Sequence, residues 1–192
     1  MLEAHELFCE RQRRVLFESL SFSATAGELV QIRGGNGSGK TTLLKILTGL
    51  YDDYEGELSW DIDEWPLFVG HRPGVKDQLT VLENLTWLAR LRDAKVNHRT
   101  LIEALSWVGL SGFEKHLCGA LSEGQRKRVN LARLYFTHTP AWILDEPFSA
   151  IDREGVGLIQ SRIEEQLARG GLVIVTSHQE IDASHTRYVD LI

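Results

Sequence analysis

Eight residues constrain this chain more than any others. Gly34-Gly35-Asn36-Gly37-Ser38-Gly39-Lys40-Thr41 fits the spacing G-x-x-x-x-G-K-[ST]. Glycines at that density let successive backbone N–H groups turn inward on one point, which is how a chain wraps a phosphate. Lys40 adds a mobile point charge for the terminal phosphates, and the Thr41 hydroxyl is an oxygen donor suited to Mg²⁺. The flanks agree. Leu29-Val30-Gln31-Ile32-Arg33 is a short β-rich run, and residues 40–50 carry Leu43, Leu44 and Leu47 at helical spacing, with Gly49 as a stop. A helix start facing a glycine loop is an anion site. Gly34, Gly35, Asn36, Gly37, Ser38, Gly39, Lys40, Thr41 and the adjoining Thr42 are therefore read as the phosphate-binding segment. The competing reading, a glycine turn without a ligand, does not account for Lys40 and Thr41 standing where they do.

The remaining pattern says what surrounds the loop. Residues 3–8 and 15–22 read as strands broken by the charged turn Glu10-Arg11-Gln12-Arg13-Arg14, and residues 56–60 and 66–70 as two more. From about Thr80 to Leu117 the spacing becomes helical, through Val81, Leu82, Leu85, Leu88 and Leu91 and then Leu101, Ile102, Leu105 and Val108. This predicts a small helical subdomain entered at Arg72-Pro73-Gly74. A helix follows Gly124. Trp142-Ile143-Leu144 and Leu172-Val173-Ile174-Val175 read as buried parallel strands, with a helix over 153–169 between them. Strands alternating with helices predict an α/β fold with a partly parallel sheet. One domain over 1–192 is expected, with the helical subdomain inserted at about 72–118.

Composition narrows the function class. The chain has 192 residues, with 21 Lys and Arg against 27 Asp and Glu, a formal net charge of −6. A nucleic-acid binder normally shows a basic face, so no nucleic-acid partner is expected. Hydrophobic residues at 43% and charged residues at 25% describe an ordered globular chain. No run approaches the roughly 18 apolar residues of a membrane span, and the acidic, polar start (Glu3, His5, Glu6) does not read as a secretory leader. Cys9 and Cys118 read as reduced, buried thiols of a cytosolic protein.

Three further stretches carry chemistry. Ala141 to Leu144 is an apolar run that ends in Asp145-Glu146-Pro147. Ligands sit at strand ends in α/β sheets, so Asp145 is placed to hold Mg²⁺ and Glu146 to act as the base that deprotonates an attacking water. Leu121-Ser122-Glu123-Gly124-Gln125-Arg126-Lys127-Arg128 opens a helix whose first N–H groups form a second anion site. Taken alone, that stretch reads as a Ser-capped helix start followed by a solvated basic turn. Val175-Thr176-Ser177-His178 ends the next strand, where His178 is placed to reach a terminal phosphate.

Taken together, these elements resemble the nucleotide-binding domain of ABC ATPases. The order is the loop at 34–41, the helical segment, Leu-Ser-Glu-Gly-Gln at 121–125, Leu-Asp-Glu at 144–146, Ser-Ala-Ile-Asp at 149–152 and His178. The resemblance covers almost the whole chain. It implies a P-loop NTPase fold of the ABC ATPase type, with a mixed sheet core, an antiparallel β subdomain and the inserted helical subdomain. Gly70-His71-Arg72-Pro73-Gly74-Val75-Lys76, Leu79-Thr80-Val81-Leu82-Glu83-Asn84-Leu85 and Trp142 to Asp152 are similar to the ATP-binding subunits of the cytochrome c maturation system, also called haem exporter ATPases. That resemblance implies an ATP hydrolase with ATP and Mg²⁺ as cofactors. Thr41 and Asp145 would hold the metal, and Glu146 and His178 would be catalytic. It further implies a head-to-tail homodimer in which Ser122, Gly124 and Gln125 meet the nucleotide held by Lys40 of the other copy, and Asp152 crosses the interface. Integral membrane subunits on other chains, an indirect link to haem and a haem chaperone, and a peripheral place on the cytoplasmic face of the inner membrane complete the expectation. The alternatives are an ATPase of another ABC transporter and a soluble ABC ATPase of translation or repair. The latter usually carries two phosphate loops or a long coiled-coil insertion, neither of which this sequence shows.

The sequence departs from the family in three places. Where most members carry an aromatic residue that stacks on adenine, this chain has Cys9-Glu10-Arg11-Gln12-Arg13-Arg14, so an Arg guanidinium, Phe8 or Phe17 stands in its place. Where a Gln usually enters the helical subdomain stands Arg72, with His71 before it. Arginine has donors only and cannot ligand Mg²⁺. Glu123 replaces a common glycine. The scattered His5, His71, His98, His116, His138 and His185 read as surface or core residues.

Overall fold

The computed structural model describes residues 1–92, 95–178, 181 and 186–191, and it divides into two units. The first comprises Met1–His71, Thr139–Pro147 and Glu164–Ile192. It begins with an antiparallel hairpin, β1 (Leu2–Arg11) and β2 (Arg14–Ala24). The connecting Gln12 and Arg13 both have positive φ, 53° and 62°, the turn geometry whose twist matches paired strands. Next come β3 (Leu29–Arg33), α1 (Lys40–Leu47), β4 (Glu55–Trp60), which pairs with β1 in the order β2-β1-β4, and β5 (Leu67–Val69). A second sheet has the order β5-β6-β7-β3-β8, with β6 (Ala141–Asp145), β7 (Leu172–Thr176) and β8 (Thr186–Asp190). The mixture of strand directions is thus divided between sheets. One is antiparallel throughout and the other parallel in every pairing.

The apolar runs explain the parallel sheet. β6 and β7 are buried at every residue, as strands covered on both faces must be. Leu43, Leu44 and Leu47 of α1 join Ile32, Ile143 and Ile174 in one core cluster that also takes in Leu2 and Leu7 of β1. β8 has no counterpart in the sequence reading. Its residues are mostly exposed, so they offer no apolar run to read.

The second unit comprises Arg72–His138 and Phe148–Ile163. It holds α2 (Val81–Arg90), α3 (His98–Trp107), α4 (Glu123–Leu131) and the first residues of α5 (Arg153–Ala168). Val81, Leu85, Leu88, Leu101, Leu105 and Val129 form its own core. The helical spacing thus resolves into two helices, and residues 108–117 are not helical. Asn84 is fully buried and holds the segment before α2. Its Oδ1 accepts from the Lys76 N–H at 2.7 Å, and its Nδ2 donates to the carbonyls of Lys76 (2.9 Å) and Thr80 (3.1 Å). Cys9 and Cys118 are buried and unpaired, and burial pushes both thiols up. Among the described residues no helix is long and apolar enough to cross a membrane.

Candidate active site

Three parallel strands end side by side and fix the site. β3 leads into the glycine loop, β6 ends at Asp145 and β7 at Thr176. The register pairs Ile32 with Thr176 and Thr176 with Asp145. The loops that follow therefore open on one edge of the sheet, where α/β folds bind ligands.

The glycine loop is built for an anion. Gly34 has φ +153°, and a Cβ there would sit 2.5 Å from Ser38 Oγ and 2.8 Å from the Leu191 carbonyl, so only glycine fits. Gly39, at φ 100°, is the N-cap of α1 and offers no side-chain hydrogen bond. The first amides of α1, those of Lys40, Thr41 and Thr42, therefore lack the side-chain cap that the other helix starts have. Ser38 Oγ is buried without a partner among the described residues, a further polar group left for a ligand. Lys40 Nζ folds back and donates to the carbonyls of Gly34 (2.7 Å) and Gly35 (3.0 Å).

A chain of hydrogen bonds crosses from this loop to the acidic strand end. Thr41 Oγ1 donates to Asp145 Oδ2 at 2.9 Å, and Thr176 Oγ1 donates to Asp145 Oδ1 at 2.8 Å. The Glu146 N–H donates to Thr176 Oγ1 at 2.9 Å. Glu146 holds a left-handed backbone, φ 50°, a conformation that costs free energy for a residue with a side chain. Its carboxylate lies 3.5 Å from His178 Nε2, with the Glu146 side chain 17% exposed and that of His178 66%. Gln31, buried in β3, donates from Nε2 to the Ser177 carbonyl at 3.2 Å and so steadies the strand end that carries His178. A cavity of about 410 Å³ gathers Asn36, Gly37, Gly39, Lys40, Thr41 and Thr42 with Asp145, Glu146 and His178. Arg11, Leu16 and His71 line it too.

Thr176 and Gln31 were not singled out as site residues by sequence. The signal for Thr176 was its place at the end of an apolar strand two residues before His178. His71 is exposed, like His5, His98, His116 and His138, but it alone of these lines the cavity. His185 lies outside the described residues. Arg72 is exposed and belongs to the second unit.

In the second unit, Ser122 is the N-cap of α4. Its Oγ accepts from the Gln125 N–H, and Gln125 Oε1 accepts from the Ser122 N–H at 2.9 Å, a capping box. The serine-capped helix start read from the sequence is present, and the box leaves the amides of Glu123 and Gly124 uncapped. Gly124 is tightly constrained, because a Cβ there would lie 2.3 Å from the Ala150 carbonyl. The basic residues behind it are not a solvated turn. Lys127 is buried and bonds Ser149, and Arg128 pairs with Asp152. Asp152 also accepts from the Gly155 N–H at 2.9 Å. That bond, followed by Arg128, holds its carboxyl below the usual range. The carboxylate that the family resemblance sends across an interface is thus engaged within its own unit.

Known proteins are similar to this chain in sequence and in fold. Residues 17–149 match the family described as ABC transporter. The chain is 46% identical over 197 aligned positions to the "Cytochrome c biogenesis ATP-binding export protein CcmA" of Shigella flexneri, covering 97% of this chain and 93% of the relative. The protein of the same name from Hahella chejuensis is also 46% identical, over 96% of this chain and 92% of the relative. Among solved structures, a putative ABC transporter ATP-binding protein from Pyrococcus furiosus is 28% identical with a TM-score of 0.84, covering 99% of this chain and 96% of that one. The dimeric structure of a bacterial ABC transporter cassette has the same fold, with a TM-score of 0.84 at 23% identity, over 99% and 94% of the two chains. The chain belongs to the ABC transporter family, in the group of the cytochrome c biogenesis ATP-binding export proteins.

Proposed function

We propose that this chain is the ATP-hydrolysing subunit of a membrane ABC complex for cytochrome c maturation, and that Glu146 is its catalytic base. The hydrogen-bonded run from Thr41 through Asp145 and Thr176 to Glu146, with His178 beside it, carries the reading. The glycine loop and the first amides of α1 receive the phosphates. Lys40 leaves the carbonyls of Gly34 and Gly35 to meet the terminal phosphate oxygens. Thr41 Oγ1 and Asp145 Oδ2 are brought together beside the glycine loop, 2.9 Å apart, and oxygen donors next to phosphate oxygens fit Mg²⁺. That ion, held by Thr41, Asp145 and phosphate oxygens, would neutralise charge on the β- and γ-phosphates.

Glu146 accepts a proton from a water whose oxygen attacks the γ-phosphorus. The bond to the β-bridging oxygen breaks, and ADP and phosphate result. The left-handed backbone of Glu146 and its N–H bond to Thr176 aim the carboxylate for that step. His178 contacts the γ-phosphate. Ser122, Gly124 and Gln125, with the open amides at the α4 start, meet the nucleotide of a second copy in a head-to-tail homodimer. That a cassette of the same fold is dimeric supports the dimer in this reading. Hydrolysis then acts on integral membrane subunits at the cytoplasmic face of the inner membrane. It drives haem export or release of a haem-loaded chaperone, a reading supported by the names of the relatives.

The test is ATP turnover by the purified chain with its membrane subunits. Glu146→Gln should abolish turnover, a loss of at least about 10³-fold, while the variant retains bound nucleotide. Undiminished turnover in Glu146→Gln would remove Glu146 from the base role.

A further inference from the structure

A polar side chain stands in the middle of the parallel sheet. Gln31 lies in β3, the strand between β7 and β8, and is 2% exposed. Its neighbours along the strand are Val30 and Ile32, both fully buried. Across the sheet it pairs with Val175 of β7 and Tyr188 of β8. An apolar residue would fill such a place without cost, whereas a buried carboxamide must find hydrogen-bond partners. Burial alone gives no reason for a glutamine here, but one of its hydrogen bonds does.

That bond reaches past the ladder. The register of β3 with β7 runs as far as Ile32 with Thr176, and beyond it β3 leads into the glycine loop. Gln31 Nε2 donates to the Ser177 carbonyl at 3.2 Å, so a side chain supplies the next rung after the backbone has turned away. On the other side of β7, the Glu146 N–H donates to the Thr176 carbonyl at 3.1 Å. The strand end is thus fastened at Thr176 from β6 and at Ser177 from β3. Ser177 is buried, where a hydrogen bond is shielded from competing water. His178 comes next. Its side chain is 66% exposed, so packing does not hold it, and the backbone that carries it sets where the imidazole stands.

We propose that Gln31 is a positioning residue for His178. Its carboxamide fixes the Ser177 carbonyl, and with it the imidazole beside Glu146. The proposal rests on the reading that His178 contacts the γ-phosphate, but not on Glu146 as the base. Without the bond, β7 stays paired through Thr176, while the Ser177 peptide is free to turn. A group misplaced by about 1 Å costs up to about a hundredfold in rate. The glycine loop and the first amides of α1 are untouched, so the effect falls on kcat and not on nucleotide affinity.

The test is Gln31→Met, similar in shape and without a donor, made in the full chain and assayed with the membrane subunits. kcat should fall about ten- to a hundredfold, with ATP affinity by calorimetry within about twofold of wild type. A footprint separates positioning from a general loss of structure. Diethyl pyrocarbonate modifies accessible imidazoles, and mass spectrometry reads each histidine separately. In the wild type, AMP-PNP, an ATP analogue that resists hydrolysis, should slow modification of His178 and leave that of the exposed His98 unchanged. In Gln31→Met with AMP-PNP bound, the protection of His178 should be lost. Gln31→Leu is the second variant, should the methionine not fit, and is read in the same way. Unchanged kcat, or full protection of His178 in the folded variant, overturns the proposal and leaves the phosphate contact of His178 standing. No protection of His178 in the wild type overturns that contact, and the role of Gln31 with it.

Discussion

At its first residue α1 presents Lys40 and uncapped amides to a glycine loop. At its last it runs into four aromatic rings and two aspartates. These ends are separated by a helix of eight residues, about 12 Å of backbone. They differ in how charge is arranged. At the loop, a single lysine and backbone N–H groups suffice, because phosphate brings its own concentrated charge and the backbone wraps it. At the other end the charge lies in two side chains, Asp52 and Asp63. One end is specified by spacing and the other by composition.

Four experiments test whether the two ends are separate in function and joined in structure. The largest effect belongs to Lys40→Ala. ATP hydrolysis should fall by about 10²–10³-fold, the loss seen when one stabilising donor is removed, while sedimentation with membranes holds at the wild-type level. A variant that also leaves the membrane would show that the ends do not act independently. Next is Thr176→Val, which removes the hydroxyl bridging Asp145 and the Glu146 N–H. A bond to a charged group contributes roughly 1.5–3 kcal/mol, so kcat should drop about ten- to a hundredfold with little change in nucleotide affinity measured by calorimetry. Salt gives a smaller effect. Raising ionic strength shortens the screening length from about 10 Å at 0.1 M towards 3 Å at 1 M. Exposed ion pairs such as Arg33–Asp190 should weaken, and ATP affinity at the half-buried loop, measured by calorimetry, should change less. Gly49→Ala is the mildest change. Gly49 has φ +66°, where a side chain costs roughly 1–2 kcal/mol. The melting temperature should fall by about 2–8 °C, with ATP affinity unaltered.

The loop end was legible in the sequence and the pocket end was not, for a physical reason. Asp145, Glu146 and His178 sit at or just beyond the ends of strands whose apolar runs announce themselves, Lys40 and Thr41 open the helix that follows β3, and the parallel register brings those strand ends together. The chain order of the motifs therefore carries the site. Thr176 and Gln31 act through hydrogen bonds within the sheet. No spacing rule marks a buried threonine as a bridge. Arg11 and His71 reach the cavity by the course of the β1–β2 hairpin and of the chain after β5, which depends on tertiary structure. The stretch 51–65 was read only for its strand, β4. Its seven carboxylates are plain in the sequence, but that two of them, Asp52 and Asp63, share one space with Tyr51, Tyr54, Trp60 and Trp65 shows only in the fold. The helices of the second unit followed their apolar spacing closely. β8, with one buried residue in five, had no pattern to follow.

At the start of α2 the Thr80–Glu83 capping box and the carbonyls of His116 and Glu114 take up the first amides, whereas α1 begins at a glycine with no side chain to close it. An open helix start is stable only in part until something arrives to accept its hydrogens. The amides of Lys40, Thr41 and Thr42 should therefore exchange with deuterium quickly in the nucleotide-free chain and slowly with ATP bound, while those opening α2 stay protected in both. Occupancy of the site is then written in three backbone protons and can be followed in a chain that has lost all turnover.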